Sequence, residues 1–159
     1  MVQTADPEAL LQRAVDLSQQ AVDAGGRPFG ALVVLDGRTV GEGRNRVAPA
    51  NDPTAHAEIE ALRAAGRSLG RPVLEGAVLY ASSEPCPMCL AACYWAGVTR
   101  VVHAATTDDV AACGLADRRL YRELALPKES RALPAEQVPG SVREEAVVVL
   151  RRWARSADG

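Results

Sequence analysis

The chain of 159 residues lacks a long uncharged run: the longest, Pro85 to Thr99, has fifteen residues and two prolines, whereas a membrane span needs about twenty apolar ones. A membrane partner is therefore not expected. Positive charge is not in excess either. Eighteen basic against twenty acidic side chains give a formal charge of −2, so no whole-molecule field holds phosphates and a nucleic-acid partner is disfavoured. The first twenty residues contain Asp6, Glu8, Arg13 and Asp16 and no apolar core of signal-peptide length. The four cysteines are thus expected in a reducing, cytoplasmic compartment, where clustered thiols point to a metal or a catalytic thiol rather than a disulfide. Lysine is almost missing, Lys128 standing against seventeen arginines; with abundant alanine this reads as coding bias and carries no function.

What is present is the balance of a globular domain, 48% hydrophobic and 24% charged. Asp6-Pro7 is an N-cap with proline at the first helical position, and Leu10, Ala14, Leu17 and Ala21 repeat at helical spacing up to Gly25-Gly26. Phe29 to Leu35 is a near-continuous apolar run, Asp36-Gly37 a two-residue hairpin turn, and Thr39 to Arg44 the returning strand. Pro49 to Pro53 reads as a loop, and Thr54 as the cap of a helix through Ala65 that Gly66 ends. Ala77 to Ala81 is a buried strand, Pro85 to Ala96 contains a helix, and Val98 to Ala105 is another strand. Helical pieces follow, chiefly Leu115 to Leu124, then a short strand near Gln137-Val138 and a helix from Ser141 to Arg155 with capping-box spacing to Glu144. Strands alternating with helices after a hairpin imply an α/β fold: a three-layer α/β/α sandwich around a mostly five-stranded mixed sheet. Residues 1–159 are read as one domain, with a terminal helix or tail set apart from about residue 141.

Three good zinc ligands stand where helices begin: His56 in Thr54-Ala55-His56-Ala57-Glu58, and Cys86 and Cys89 in Glu84-Pro85-Cys86-Pro87-Met88-Cys89. The cysteine spacing sets both sulfurs one turn apart at a helix N-terminus, which stabilises the thiolate that zinc requires. Three protein ligands leave the fourth position to water or hydroxide, the arrangement of a catalytic zinc, one per chain. Glu58, two residues after His56, reaches that water more easily than the metal and is the candidate proton carrier. A bare C-x-x-C is equally a redox pair or half a structural zinc site, but neither explains His56-Ala57-Glu58.

The pattern H-x-E followed by P-C-x-x-C resembles the signature of zinc-dependent nucleobase deaminases. The chain looks like a member of the cytidine-deaminase-like superfamily and, within it, the bacterial guanine deaminase branch. Arg27-Pro28-Phe29-Gly30-Ala31 and Ser83 to Cys89 carry the superfamily likeness. The stretch Asn51 to Glu58, Tyr94-Trp95-Ala96 and the Asp117 region carry the guanine likeness. The resemblance implies that Phe29, Asn45, Ala57 and Trp95 bind the base. It also implies that Asp117 is a second catalytic acid near the exocyclic amine, and that the enzyme is a homodimer whose C-terminal segment crosses to the partner. The implied reaction is hydrolysis of a purine amine on guanine, guanosine or 2′-deoxyguanosine to the xanthine-type product and ammonia. The tail ends in small and polar residues without a closing aromatic, so a sugar is expected to fit. Cytosine, cytidine or adenine-type deamination, including that of a tRNA adenosine, shares the same metal centre and stays open, as does a non-catalytic zinc module.

Other polar groups have plainer readings. Cys93 and Cys113 are read as structural, His103 as a strand histidine bonded to backbone, and Glu84 as a holder of the loop before the cysteine helix. Phe29 is as well explained by core packing, and Val142, Ala146, Val149 and Trp153 form an apolar stripe suited to core or interface.

Overall fold

Helix α1 (Pro7–Asp23) starts where Asp6 accepts a hydrogen bond from the Glu8 N–H at 3.1 Å, and buries Ala14, Leu17 and Ala21 along one face. The computed structural model describes residues 6–115 and 118–157. The chain divides into two compact units, residues 1–118 and 119–159.

In the first unit, β1 (Gly30–Leu35) and β2 (Arg38–Arg44) are antiparallel and joined by Asp36 and Gly37, both at positive φ of 50° and 74° as the expected turn requires. Strand β3 (Val78–Ser83) pairs antiparallel with β1 and parallel with β4 (Arg100–Ala105), giving the order β2-β1-β3-β4. Alternation along the strands sorts the core into two layers. Leu32, Val34 and Tyr80 face α1 with Ala14 and Leu17, while Ala31, Val33, Leu79 and Ala81 join Ala57, Ala61, Ala65 and Cys93 on the other face. The latter come from α3 (Ala57–Leu69) and α4 (Pro87–Trp95). The α/β/α expectation is met.

Close approach of helix to sheet depends on missing side chains. A Cβ on Gly43 would lie 2.1 Å from the Ala57 carbonyl oxygen, and one on Gly30 would lie 2.2 Å from that of Ala14. Since neither backbone can yield without moving a helix, these glycines let the start of α3 and the middle of α1 rest on the sheet.

Three expectations need correction. The sheet has four strands among the described residues, because 137–138 is exposed and unpaired rather than a fifth strand. Helix α3 starts three residues after Thr54 and continues through Gly66 to Leu69, stopping where Gly70 takes φ 64°. Burial of Ala57, Ala61 and Ala65 at helical spacing outweighs the roughly 1 kcal/mol that a helical glycine costs. Residues 47–50 form a single helical turn, α2, that overlaps the start of the loop expected from Pro49, and α5 (Thr107–Ala112) adds a short helix closed by a Thr106–Asp109 capping box.

Helix α6 (Arg118–Ala125) leads into the second unit, where Arg131 donates to the carbonyls of Leu126 at 3.1 Å and Leu124 at 3.3 Å. The unit ends with α7 (Ser141–Ala157), two residues longer than expected. No helix among the described residues is long and apolar enough to cross a membrane.

Candidate metal centre and active site

Two helix starts meet at the end of β3. His56 is the N-cap of α3 and Cys86 the N-cap of α4, with Pro87 at the first helical position and Cys89 in the first turn. The His56 Nδ1 lies 3.6 Å from Cys86 Sγ and 3.5 Å from Cys89 Sγ, and the two sulfurs are 3.6 Å apart. Zinc at about 2.3 Å from sulfur and about 2.0–2.1 Å from nitrogen in tetrahedral geometry requires edges of about 3.6–3.8 Å. The donors already form one face of that tetrahedron, so these residues fit a zinc ion. Cys89 is buried while His56 and Cys86 are half-buried, which leaves one side of the triangle open.

The three donors are electrostatically coupled to one another. The Cys86 thiol is pushed down to about 4, first by the hydrogen bond from Cys89 and then by the one from His56. The partnership with Cys86 raises the His56 imidazole, and the Cys89 thiol is pushed up because Cys86 takes its proton in a hydrogen bond. Glu58, in the first turn of α3 and only 6% exposed, has its carboxyl raised chiefly by burial. Cys93, the next buried thiol along α4, is pushed up to about 11 by burial and lies outside the ligand triangle.

Asn45 sits at the exit of β2, fully buried. Its Oδ1 accepts from the backbone N–H of Arg27 at 3.2 Å and of Val47 at 3.3 Å, and its own N–H donates to the Phe29 carbonyl at 3.0 Å. With the oxygen engaged twice, the amide is fixed and its NH₂ end is the one left to offer. The Arg46 N–H donates to the Ala55 carbonyl at 2.9 Å, so Asn45 and His56 stand at the two ends of one closed loop. Phe29 is half-buried and packs on the core layer that contains Ala57 and Cys93.

Other assignments fare differently. Trp95 is 87% exposed and lines a groove with Ile59, Leu62, Ala92 and Ala96; it is not brought to the ligand triangle within this chain. Six residues past Cys89 on a helix amounts to about 9 Å along the axis and more than half a turn further round. Asp117 lies outside the described residues. Glu84 does hold a loop, but a later one: it accepts from the Thr107 N–H at 2.9 Å and from its hydroxyl at 2.7 Å, fixing the start of α5. His103 Nδ1 bonds the Ala105 carbonyl at 2.9 Å, as a strand histidine should. The exposed Cys113 ends α5. Sequence reading passes over Arg63, which ties α3 to the 46–55 loop; its only sequence signal is the Glu60/Arg63 spacing.

The sequence of residues 4–105 matches the model of the cytidine and deoxycytidylate deaminase zinc-binding region. The chain belongs to that family. It is accordingly a zinc-dependent hydrolytic deaminase, with His56, Cys86 and Cys89 as its possible metal site. It is 48% identical over 132 residues to the guanine deaminase of Bacillus subtilis, covering 82% of this chain and 85% of that one. The X-ray structure of guanine deaminase from Bacillus subtilis superposes with a TM-score of 0.85 at 44% identity, over 91% of this chain and 93% of the other. A crystal structure of a protein in complex with 2,6-diaminopurine matches with a TM-score of 0.68 at 39% identity, covering 70% of this chain and 63% of that one.

Proposed function

We propose that this deaminase hydrolyses the exocyclic amine of a guanine-type ring, releasing ammonia and the xanthine-type product. One observation carries the choice of ring. The zinc-binding region common to the family spans residues 4–105, whereas the likeness to a guanine deaminase runs over 132 residues and so extends beyond it. Guanosine and 2′-deoxyguanosine stand beside free guanine in this reading.

His56, Cys86 and Cys89 would hold the zinc. When bound in a three-ligand site, zinc supplies a nucleophilic oxygen from water at neutral pH. Glu58, two residues from His56 on the same first turn, accepts a proton at its carboxylate and returns it toward the leaving amine. Its burial keeps bulk water from short-circuiting that transfer. The Asn45 NH₂ donates to an acceptor of the ring, the Ala57 N–H at the start of α3 is a second donor, and Phe29 offers a hydrophobic wall. Asp117 is assigned the ring N–H and the adjacent amine, a donor pair that one carboxylate accepts, and the relay onto the departing nitrogen of the proton that Glu58 returns.

Asp117→Asn tests that last assignment. Asparagine matches aspartate in size and lacks its charge and its proton-carrying oxygen, so the melting temperature should hold, while turnover of guanine substrates should fall by about 10²-fold or more for loss of an acid–base group. Unchanged turnover at unchanged stability would remove Asp117 from the chemistry.

For the ring, ammonia release from guanine, guanosine, 2′-deoxyguanosine, cytosine, cytidine and adenosine is measured side by side. A guanine-ring compound should be fastest; cytidine or adenosine in first place would overturn the reading. A small-molecule substrate accords with the net charge of −2, and a cytoplasmic location accords with four free cysteines. The enzyme is further proposed to be a homodimer: Val142, Val149 and Trp153 are each at least 66% exposed on α7, an apolar face that a second copy would cover. Light scattering should return twice the mass of one chain; a single-chain mass would refute it.

A further inference from the structure

The loop from Arg46 to Ala55 joins the two ends of the site; the Arg46 N–H closes its neck on the Ala55 carbonyl at 2.9 Å, and inside it the N–H groups of Ala50, Asn51, Asp52 and Ala55 bond the carbonyls of Arg46, Ala48, Val47 and Asp52. Its far side turns on Asp52, whose Oδ1 accepts from the Thr54 N–H at 2.8 Å and the Thr54 hydroxyl at 2.7 Å. The Thr54 hydroxyl is thus tied to Asp52 as a donor, two residues before His56, which holds the N-cap position of α3. The Thr54 hydroxyl oxygen accepts from Arg63 Nη2 at 3.4 Å. Arg63 Nη1 donates to Glu60 Oε1 at 2.7 Å and lies 3.6 Å from Asp52 Oδ2, and Glu60 also pairs with Arg46 at 3.8 Å. One guanidinium on the second turn of α3 therefore reaches Glu60 on its own helix and Asp52 and Thr54 on the loop, while Glu60 closes the circuit to the residue after Asn45.

We propose that Arg63 is a positioning residue for ring binding: it clamps the 46–55 loop onto α3 and so fixes the amide of Asn45. This rests on the assignment of Asn45 above. The link is direct, because the Asn45 Oδ1 takes one of its two hydrogen bonds from Val47, inside the loop. With the clamp gone, the loop keeps its neck but loses its tether to the helix, and the Val47 N–H no longer holds the amide in one orientation. His56 is affected less, since it caps α3 and is held by metal coordination. An isolated pair this exposed would contribute little, the Arg63 side chain being 45% exposed. A planar fork bridging three acceptors on two elements restricts a loop in a way that a single pair does not.

The test uses the zinc-loaded wild type, Arg63→Ala, Arg63→Lys and, as a charge control, Arg67→Ala, with zinc content, melting temperature, kcat and KM recorded for the guanine-ring substrate. Arg63→Ala should keep about one zinc per chain and kcat within about twofold, while KM rises about tenfold, the pattern of lost binding common to ground and transition states. Arg63→Lys, a point charge without the fork, should fall between, and Arg67→Ala should match the wild type. A lowered melting temperature with KM unchanged would make Arg63 merely structural, and zinc loss with a fall in kcat would place its effect on the metal; either result overturns the proposal. If the wild type turns over no guanine-ring compound, the substrate assignment fails instead, and the same comparison is made on whichever ring the panel identifies.

Discussion

Alanine at position 58 is expected to lower turnover by about 10²–10⁴-fold, the range for a general acid–base group, while zinc stays bound. The reasoning is geometric. Glu58 is buried in the first turn of α3, two residues from the ligand His56 and against the thiol of Cys89, but is not itself one of the three donors. Removing it takes away the carboxylate that handles protons and none of the atoms that hold the metal. Glu58→Gln sharpens the comparison, for it keeps nearly the same volume and loses the charge and the carboxylate oxygen that takes up the proton. Both variants should behave alike in turnover, and elemental analysis should find about one zinc per chain in each. Near-normal turnover in either would assign the proton transfer to another group.

A change in any zinc ligand should have a larger and different effect. The triangle of His56 Nδ1, Cys86 Sγ and Cys89 Sγ has edges of 3.5–3.6 Å, and no fourth donor joins it among the described residues. Deleting one corner as Cys86→Ala leaves two donors, too few to retain zinc against water. Both metal and activity should be lost, beyond what Glu58→Ala removes. Because zinc binds the folded arrangement and contributes to its stability, the melting temperature should fall as well. Dialysis of the wild type against a chelator should reproduce the loss, and added zinc should restore activity to the wild type but not to the variant. Retained zinc in Cys86→Ala would mean that another donor completes the site.

Much of this could be read from the sequence because the decisive signals are local. Asp36-Gly37 specifies its turn by backbone preference, Asp6-Pro7 starts α1, and the spacings His56-x-Glu58 and Cys86-x-x-Cys89 set side chains within one turn of each other. The misread positions depend on contacts between elements. Gly66 reads as a stop, but buried alanines packed on β1 and β2 carry α3 past it. Thr54 reads as a cap, but α3 begins only at Ala57, with His56 in the N-cap position. Glu84 reaches Thr107 across the paired ends of β3 and β4, a juxtaposition created by the sheet alone. The Arg63 clamp has the same origin: its three acceptors lie 3, 9 and 11 positions away, and only the folded loop gathers them.

The central claim is that zinc-loaded protein hydrolyses a guanine-type ring. Incubating it with guanine in water enriched in ¹⁸O and analysing the product by mass spectrometry tests that claim most directly. The predicted result is xanthine carrying one ¹⁸O at the carbon that bore the amine, with one ammonia released per turnover and no conversion by Glu58→Ala. Guanine recovered unchanged from zinc-loaded wild type, with cytosine or adenosine consumed under the same conditions, would contradict it.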